Sequence, residues 1–234
     1  MIDELLLIPD KADIERDGIA KVWEEHGGIV KRIGKFWVKP ETNGKRIALY
    51  GYDSFCLVLA QILELEMCMP KDEWIATLPN EFTKRQIQIV ELGNAHQMAY
   101  PKFIKPVTPK LFKAAIFETA ASLQEITQDI SREERLIVSD IVSVDKEVRS
   151  FILDNEVQDL AYYEGEGDLT EVKAFITGFL EKTSIVFPPT FFLDVGYNSQ
   201  LGWFIIEFNS IWGAGLNGCD AAKVVNCIRA AAIN

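Results

Sequence analysis

The first fifty residues alternate between short apolar runs and one amphipathic segment. Leu5–Ile8 is a continuous apolar run, as expected of a strand buried within a parallel sheet. Asp10 and Asp13 can cap a helix with apolar residues at helical spacing, and Gly27-Gly28 predicts its end. Two further strands are predicted at Ile29–Val30 and Arg46–Tyr52. This alternation of strand and helix indicates a small α/β layer.

The pattern changes in the middle of the chain. Phe55–Glu66 predicts a buried helix, and Glu81–Leu92 predicts an amphipathic one. Between residues 93 and 100 the periodicity loosens, and prolines then interrupt the sequence at 101, 106 and 109. We therefore place a domain boundary near residue 97, between an N-terminal α/β domain (1–96) and a C-terminal domain (97–234).

The C-terminal domain is richer in predicted strands. These strands lie at residues 102–105, 135–142, 147–153, 156–163, 190–196 and 203–209, the last two joined as a hairpin across 198–202. A helix is predicted near Phe117–Asp129, and another to about Glu181 after a capping box that begins at Asp168. Asp220 is predicted to cap the last helix, Ala221–Ala231. Residues 97–142 form the predicted small subdomain and hinge, and 143–234 the strand-rich subdomain.

Composition and charge exclude several classes of function. The 234 residues include 24 Lys and Arg against 35 Asp and Glu, a formal charge of −11, and 48% of them are hydrophobic. That apolar content is enough for a folded core and argues against disorder. An acidic chain without a Lys/Arg stripe argues against nucleic-acid partners and against anionic membranes.

The remaining composition points to a protein of the reducing cytoplasm. The four cysteines form no C-x-x-C pair and the two histidines lie far from them, so we expect free thiols and no zinc site. The N-terminus has no basic stretch typical of a signal peptide. No apolar run reaches the ~18 residues that a membrane span needs.

Polar side chains interrupt two apolar strands near the C-terminus. Glu207 and Asn209 end one strand at i and i+2 and so share a face, and Asp194 lies within the other. If the hairpin closes with a four-residue loop, Asp194 faces Glu207. Opposed carboxylates are tolerable when a cation bridges them, and carboxylate and amide oxygens suit a hard divalent cation. The alternatives are a polar strand end and a different register.

Two other strands carry charged residues with open interpretations. Glu147 and Arg149 share a face, where they could bind a ribose diol and phosphate oxygens or form a cross-strand salt bridge. Lys105 is a cation within an apolar strand, and it either reaches water or binds an anion. Lys110 and Lys113 could cover the same anion or could be ordinary surface charges.

In this order, the elements resemble the ATP-grasp superfamily, and in particular a divergent clade formerly described as a domain of unknown function. The segments that carry the resemblance are Phe103–Pro106, Val138–Val142, Glu147–Arg149, Leu193–Gly196, Ile206–Asn209 and Trp212–Leu216. The resemblance covers residues 97–234. It implies an α+β / α/β ATP-grasp fold, with two α+β subdomains sandwiching the nucleotide, preceded by a small α/β pre-ATP-grasp domain.

The resemblance also implies roles for individual residues. Lys105 would contact the α- and β-phosphates of ATP, and Arg149 the terminal phosphates, both with a part in catalysis. The hinge Asp140-Ile141-Val142 would meet the adenine, and Glu147 the ribose. The implied ligands of Mg²⁺ are Asp194, Glu207 and Asn209.

The implied activity is ATP- and Mg²⁺-dependent ligation of a carboxylate to an amine or thiol through an acyl phosphate. The substrate would be a small acid, an amino acid or a peptide. One departure from the family pattern is that Val107–Lys110 lacks the usual glycine-rich flap over the phosphates. This leaves two alternatives: an ATP-grasp nucleotide-binding protein without ligase activity, acting as a regulator or partner-dependent subunit, and an unrelated α+β binding module.

Overall fold

Three short strands near the start of the chain form a parallel sheet in the computed structural model, which describes residues 4–233. β1 (Glu4–Pro9) lies between β2 (Ile29–Ile33) and β3 (Arg46–Leu49) and is buried over its whole length. α1 (Ile14–Glu25) begins after Asp13, whose side chain accepts a hydrogen bond from the Arg16 amide at 3.0 Å. The predicted strand–helix–strand opening is confirmed.

Helices from both ends of the chain pack on this parallel sheet. α2 (Asp53–Leu63) follows β3, and α7 (Ala221–Arg229) begins after Asp220, whose side chain accepts a hydrogen bond from the Ala222 amide. The two-residue strands β4 (Glu66–Met67) and β13 (Ala232–Ile233) pair antiparallel. Their shared core includes the buried side chains of Trp23, Phe55, Phe151, Phe192, Trp212 and Val225.

A second sheet has the strand order β10-β9-β11-β12. Its strands are β9 (Lys146–Leu153), β10 (Glu156–Glu164), β11 (Thr190–Asn198) and β12 (Gly202–Asn209). Asp154 and Asn155 join β9 to β10 with positive φ angles of 50° and 62°, as a tight hairpin turn requires. The predicted hairpins are therefore present.

α6 (Thr170–Lys182) confirms the predicted helix, but its N-terminus differs from the prediction. Asp168 accepts hydrogen bonds from the amide and the hydroxyl of Thr170, at 2.9 and 2.8 Å. The helix begins one residue later than expected, so Glu171 stands in the first turn and not at the third helical position. The predicted capping box is therefore wrong, because a short turn at Asp168 replaces it.

A third sheet, of order β5-β8-β6-β7, is antiparallel throughout. Its strands are β5 (Ile87–Glu91), β6 (Lys102–Pro106), β7 (Ala115–Phe117) and β8 (Arg135–Ser139). Three short helices accompany it: α3 (Asn80–Thr83), α4 (Leu92–Ala95) and α5 (Ala120–Ile126). One face, with Ile104, Leu136 and Val138, is buried in a small core.

The amphipathic helix predicted for Glu81–Leu92 is wrong. Only Asn80–Thr83 is helical, and Lys84, with a φ of 53°, ends the helix in the left-handed conformation. The chain then enters β5, which pairs with β8 over five residues. Alternating Ile87 and Ile89 fit a strand, and pairing with a strand more than forty residues away overrides the helical pattern.

The described chain divides into two compact units. The first contains the chain up to Pro70, Lys146–Val195 and the chain from Phe208 on, and the second contains Lys71–Asp145 and Gly196–Glu207. The predicted boundary near residue 97 concerns domains of the sequence and stays a prediction. None of the helices within residues 4–233 is long and apolar enough to cross a membrane.

Candidate functional site

Lys105 lies on the face of β6 that points away from the small core. On this face it stands opposite Ile137 of β8, while its neighbour Ile104 is buried on the other side. The Lys105 ammonium is 2.7 Å from a carboxylate oxygen of Asp72 and 3.7 Å from one of Glu207. Two predicted site residues, Lys105 and Glu207, are thus together, within the second unit. Asp72 was missed, because nothing in its local sequence links it to β6.

The segment that carries Asp72 is a 3-10 helix, Asp72–Thr77. Its second residue, Glu73, forms an ion pair with Arg135 on β8. Two neighbouring acids therefore attach this segment to cations of two adjacent strands. The attachment explains how Asp72 comes to lie beside Lys105.

A pocket of about 510 Å³ lies next to Lys105. It is formed wholly by the second unit, from the 3-10 helix, the end of β6 and the loop between β6 and β7. The lining residues are Asp72, Lys105, Pro106, Pro109, Lys110, Phe112, Lys113 and Ala114. Three of the lining side chains are lysines, so the pocket has the chemistry of an anion site.

Asp140 follows β8 as the sequence predicts, and its carboxylate is held by a lysine. Lys102 Nζ lies 2.5 Å from one carboxylate oxygen, and the Gln86 amide donates to the other at 3.3 Å. The ion pair with Lys102 is the main reason that the pKa of Asp140 is lowered. Ile141 is exposed and Val142 is partly buried, in an irregular segment of the kind expected of a hinge.

Arg85 connects several segments of the second unit. It donates hydrogen bonds to the Ser139 hydroxyl at 3.1 Å and to the carbonyls of Thr83 and Ile205 at 2.9 and 3.0 Å. Its guanidinium also lies 5.3 Å from the centre of the Phe204 ring. Burial lowers the pKa of Arg85 to about 10, so it is charged at neutral pH. Its role is to hold the end of β8 and part of β12 together.

In the first unit, Arg149 and Asp194 form a buried ion pair. Arg149 donates to both oxygens of Asp194, from Nε at 2.9 Å and from Nη2 at 2.7 Å, and to the carbonyl of Gly215 at 3.0 Å. The Arg149 side chain is 11% exposed and that of Asp194 only 3%. The guanidinium also stacks on Phe192, 3.9 Å from the ring centre. This bidentate geometry is the strongest available to an arginine–carboxylate pair.

Glu147 lies two residues before Arg149 on β9 and accepts a hydrogen bond from the Tyr163 hydroxyl. Burial, followed by the nearby charges of Asp194 and Glu147, raises the pKa of Tyr163. Tyr163 therefore remains a neutral donor and orients the Glu147 carboxylate. No sequence pattern pointed to this tyrosine, which comes from the neighbouring strand β10.

The loop after Asn209 is anchored to the parallel sheet of the same unit. The Gly51 amide donates to the Trp212 carbonyl at 3.0 Å. Glu15, in the first turn of α1, accepts from the amides of Leu216 and Asn217 at 2.9 and 2.8 Å. The three contacts fix the loop that follows the E-x-N sequence, and Glu15 was not singled out from the sequence.

The structure does not decide the predicted metal site. Both oxygens of Asp194 are bound by Arg149, whereas the Glu207 side chain is 40% exposed beside Lys105. The described part of the chain contains no group of three His, Cys, Asp or Glu side chains that could hold a metal ion. The facing of Asp194 and Glu207, and the ligand role of Asn209, stay predictions.

Comparisons with known proteins give one family and one fold. The family model of an ATP-grasp domain, the second family of its clade, matches residues 82–227. No curated protein matches the sequence. The structure is similar to an ATP-grasp protein of the RimK domain type from Sphaerobacter thermophilus, with a TM-score of 0.57 and 12% identity, over 96% of this chain and 99% of that one.

Two further solved structures share the fold. An L-amino acid ligase from Bacillus licheniformis has a TM-score of 0.58 at 10% identity, over 99% of this chain and 76% of the ligase. The ATP-grasp ligase PsnB, solved with a variant of its minimal precursor, Mg and ADP, has a TM-score of 0.55 at 10% identity, over 97% of each chain. At these identities the similarity shows the fold alone, and the fold expected from the sequence is confirmed.

Proposed function

The chain belongs to this ATP-grasp domain family, and on this premise we propose that it is an ATP- and Mg²⁺-dependent ligase. It would join the carboxylate of a small acid, amino acid or peptide to an amine or a thiol. The observation that carries the proposal is Lys105, on a strand beside a lysine-lined pocket and next to Glu207. Solved relatives of this fold include an L-amino acid ligase and an ATP-grasp ligase bound to a precursor variant, Mg and ADP.

The residues of the second unit suit the phosphates and the base of ATP. Lys105 supplies a positive charge to the phosphate chain, in place of its ion pair with Asp72. The segment Asp140-Ile141-Val142 supplies the hinge that meets the adenine. Since Asp140 is already held by Lys102, its carboxylate fixes the hinge and leaves the backbone for the base.

The residues of the first unit are assigned to the ribose and to the reacting end of ATP. Glu147, oriented by Tyr163, would accept hydrogen bonds from the ribose diol. Arg149 would stabilise the terminal phosphates through its charge, while Asp194 fixes its orientation. A guanidinium already held in place loses little freedom when a phosphate arrives.

Glu207 and Asn209 supply carboxylate and amide oxygens that suit Mg²⁺. Asp194 would join them only by releasing one of its two hydrogen bonds from Arg149, so we propose it as the weakest of the three ligands. Mg²⁺ bound there would neutralise charge on the phosphates of ATP.

The proposed reaction needs no nucleophile from the protein. A carboxylate oxygen of the substrate attacks the γ-phosphorus of ATP, which gives an acyl phosphate and ADP. An amine or thiol then attacks the acyl carbon and releases phosphate. The protein orients the reactants and stabilises the transferring phosphoryl group through Lys105 and Arg149. We propose a small molecule or a peptide as the partner, rather than nucleic acid or membrane, and a cytoplasmic location.

The first experiment is calorimetric titration with a non-hydrolysable ATP analogue, with and without Mg²⁺. We expect micromolar binding that depends on Mg²⁺. Lys105→Ala should weaken ATP binding more than adenosine binding, and Glu207→Gln should weaken Mg²⁺-ATP binding without unfolding the protein. Equal loss of ATP and adenosine would remove Lys105 from the phosphate role, and no binding at millimolar analogue would refute the proposal.

Turnover is tested separately, by ADP release with panels of acids and amines. ADP release that requires both an acid and an amine supports the ligase. Tight nucleotide binding without ADP release, for any acid and amine, would favour a nucleotide-binding regulator or a subunit that requires a partner.

A further inference from the structure

The loop between β6 and β7, residues 107–114, lies where the phosphates of the proposed nucleotide need a cover, yet it contains no glycine. Glycine-rich loops bind phosphates through backbone amides, because the absent side chain lets the backbone approach. This loop carries Lys110 and Lys113, and both line the pocket beside Lys105. A different kind of phosphate binding is therefore available here.

The charge distribution around the loop is unusual for this protein. The chain has a net charge of −11, but residues 92–117 contain no Asp or Glu and four lysines. Lys102 is neutralised by Asp140, and the other three line the pocket. Against these three lysines the pocket lining has a single carboxylate, Asp72. The pocket thus has an excess of two positive charges within an acidic protein.

The backbone of the loop is restricted before any ligand arrives. Pro106 and Pro109 fix two of its φ angles. Phe112 packs on the small core, with its ring edge-on to Phe117 at a centroid distance of 6.3 Å. Lys110 has a φ of 63°, in the left-handed region that non-glycine residues seldom adopt. Such a conformation persists only where the surroundings hold it, and it is typical of binding sites.

The size of the pocket fits a phosphate chain. Its volume of about 510 Å³ lies within the range of roughly 300–1,000 Å³ that is typical of ligand pockets. Lys110 and Lys113 are exposed, so they are accessible to a ligand that enters from solvent. The Asp72 carboxylate, 2.7 Å from Lys105, occupies the position of an anion when no phosphate is bound.

We propose that Lys110 and Lys113 form, with Lys105, a polyphosphate site in which lysine side chains replace a glycine-rich flap. The proposal rests on the proposed function for the nucleotide, but the site lies within one unit and requires only the phosphate chain. Binding should therefore follow the number of phosphates, from tripolyphosphate and ATP down to AMP. It should also weaken strongly with salt, because exposed charges are screened.

The test compares two double variants that remove the same charge. Lys110→Asn combined with Lys113→Ala removes the two loop cations, and asparagine tolerates the left-handed conformation at position 110. Lys173→Ala combined with Lys182→Ala removes two exposed cations from α6 and is the matched control. Calorimetry with ATP, AMP and inorganic tripolyphosphate, at low and at high salt, measures the effect.

We expect the loop variant to bind ATP and tripolyphosphate at least tenfold more weakly, with AMP unchanged and a smaller dependence on salt. A charge-assisted hydrogen bond of about 1.5–3 kcal/mol corresponds to roughly a tenfold to hundredfold effect. The control should bind like the wild type. If the loop and control variants bind ATP equally well, the lysine site is refuted while the nucleotide proposal stands.

The failure of the proposed function gives a different result. If the wild type binds tripolyphosphate through the loop lysines but binds ATP no better than tripolyphosphate, the polyphosphate site is supported and the assignment of adenine and ribose residues fails. If the wild type binds neither ligand, the polyphosphate site is refuted as well. Protection of Lys110 and Lys113 from acetylation by tripolyphosphate, read by mass spectrometry, checks the location of binding without any variant.

Discussion

Replacing Asp194 by asparagine should lower the free energy of unfolding by about 3–5 kcal/mol, the usual cost of breaking a buried ion pair. The Asp194 carboxylate accepts two hydrogen bonds from Arg149, at 2.9 and 2.7 Å, and its side chain is 3% exposed. Asparagine has the same shape but only one acceptor oxygen, so the Arg149 guanidinium would stay buried without its counter-ion. For a chain of this size each kcal/mol lowers the melting temperature by roughly 2–4 °C, about 6–20 °C in all.

The same substitution distinguishes two roles of Asp194. A carboxylate that serves only as a metal ligand gains nothing from its neighbours when the metal is absent, so its removal would leave the metal-free protein as stable or more stable. We therefore measure urea unfolding by circular dichroism in the presence of a chelator. Glu207→Gln is the matched control, since Glu207 is 40% exposed and 3.7 Å from Lys105. Its effect should stay within about 0.5 kcal/mol.

A double variant isolates the energy of the pair. Arg149→Met with Asp194→Leu removes both charges and leaves neither one buried alone, and such replacements are often close to neutral. We expect the double variant to be more stable than Asp194→Asn. A loss of less than about 1 kcal/mol for Asp194→Asn, comparable with the Glu207 control, would refute the structural role of the pair and return Asp194 to the metal site.

Two further predictions concern protons. Lys102 holds the pKa of Asp140 below its usual value, so this pair contributes stability above the unfolded pKa of about 4 and loses it as pH falls through the folded pKa. The urea midpoint should therefore drop more between pH 5 and pH 3 for the wild type than for Asp140→Asn, and equal drops would contradict the assignment. Burial raises the pKa of Cys219 and of Cys227 to about 12, so iodoacetamide at pH 8 should label these thiols only after unfolding. Rapid labelling of Cys219 in the native protein, detected by mass spectrometry, would show that its surroundings open.

Features that depend on a few neighbouring residues could be predicted from the sequence. Asp13 and Asp220 cap their helices because the acceptor side chain and the helix amides lie within three residues of each other. Asp154-Asn155 forms the hairpin turn because both residue types tolerate positive φ. The helix predicted for Glu81–Leu92 fails for the opposite reason, since β5 is decided by its pairing with β8.

The candidate site shows the same limit more sharply. The sequence identified Lys105, Asp140, Arg149 and Asp194 as polar residues in apolar surroundings, which is a local property. It could not identify their partners, because Lys102 and Asp140 are 38 residues apart and Arg149 and Asp194 are 45 apart. Those distances are closed only by strand pairing and loop packing, which no local pattern specifies.

The partners also change what the residues can do. Arg149 was expected either to bind phosphate or to form a cross-strand salt bridge on a solvated face. The structure shows an ion pair, but a buried one that also binds the Gly215 carbonyl and stacks on Phe192. A phosphate can approach such an arginine only as an additional partner, whereas Lys105 can exchange Asp72 for a phosphate at little cost, because both groups are partly exposed. If both cations contribute to nucleotide binding, Lys105 should therefore be the one whose affinity for phosphate depends on the acid beside it, and Asp72→Asn should strengthen ATP binding while leaving Arg149 unaffected.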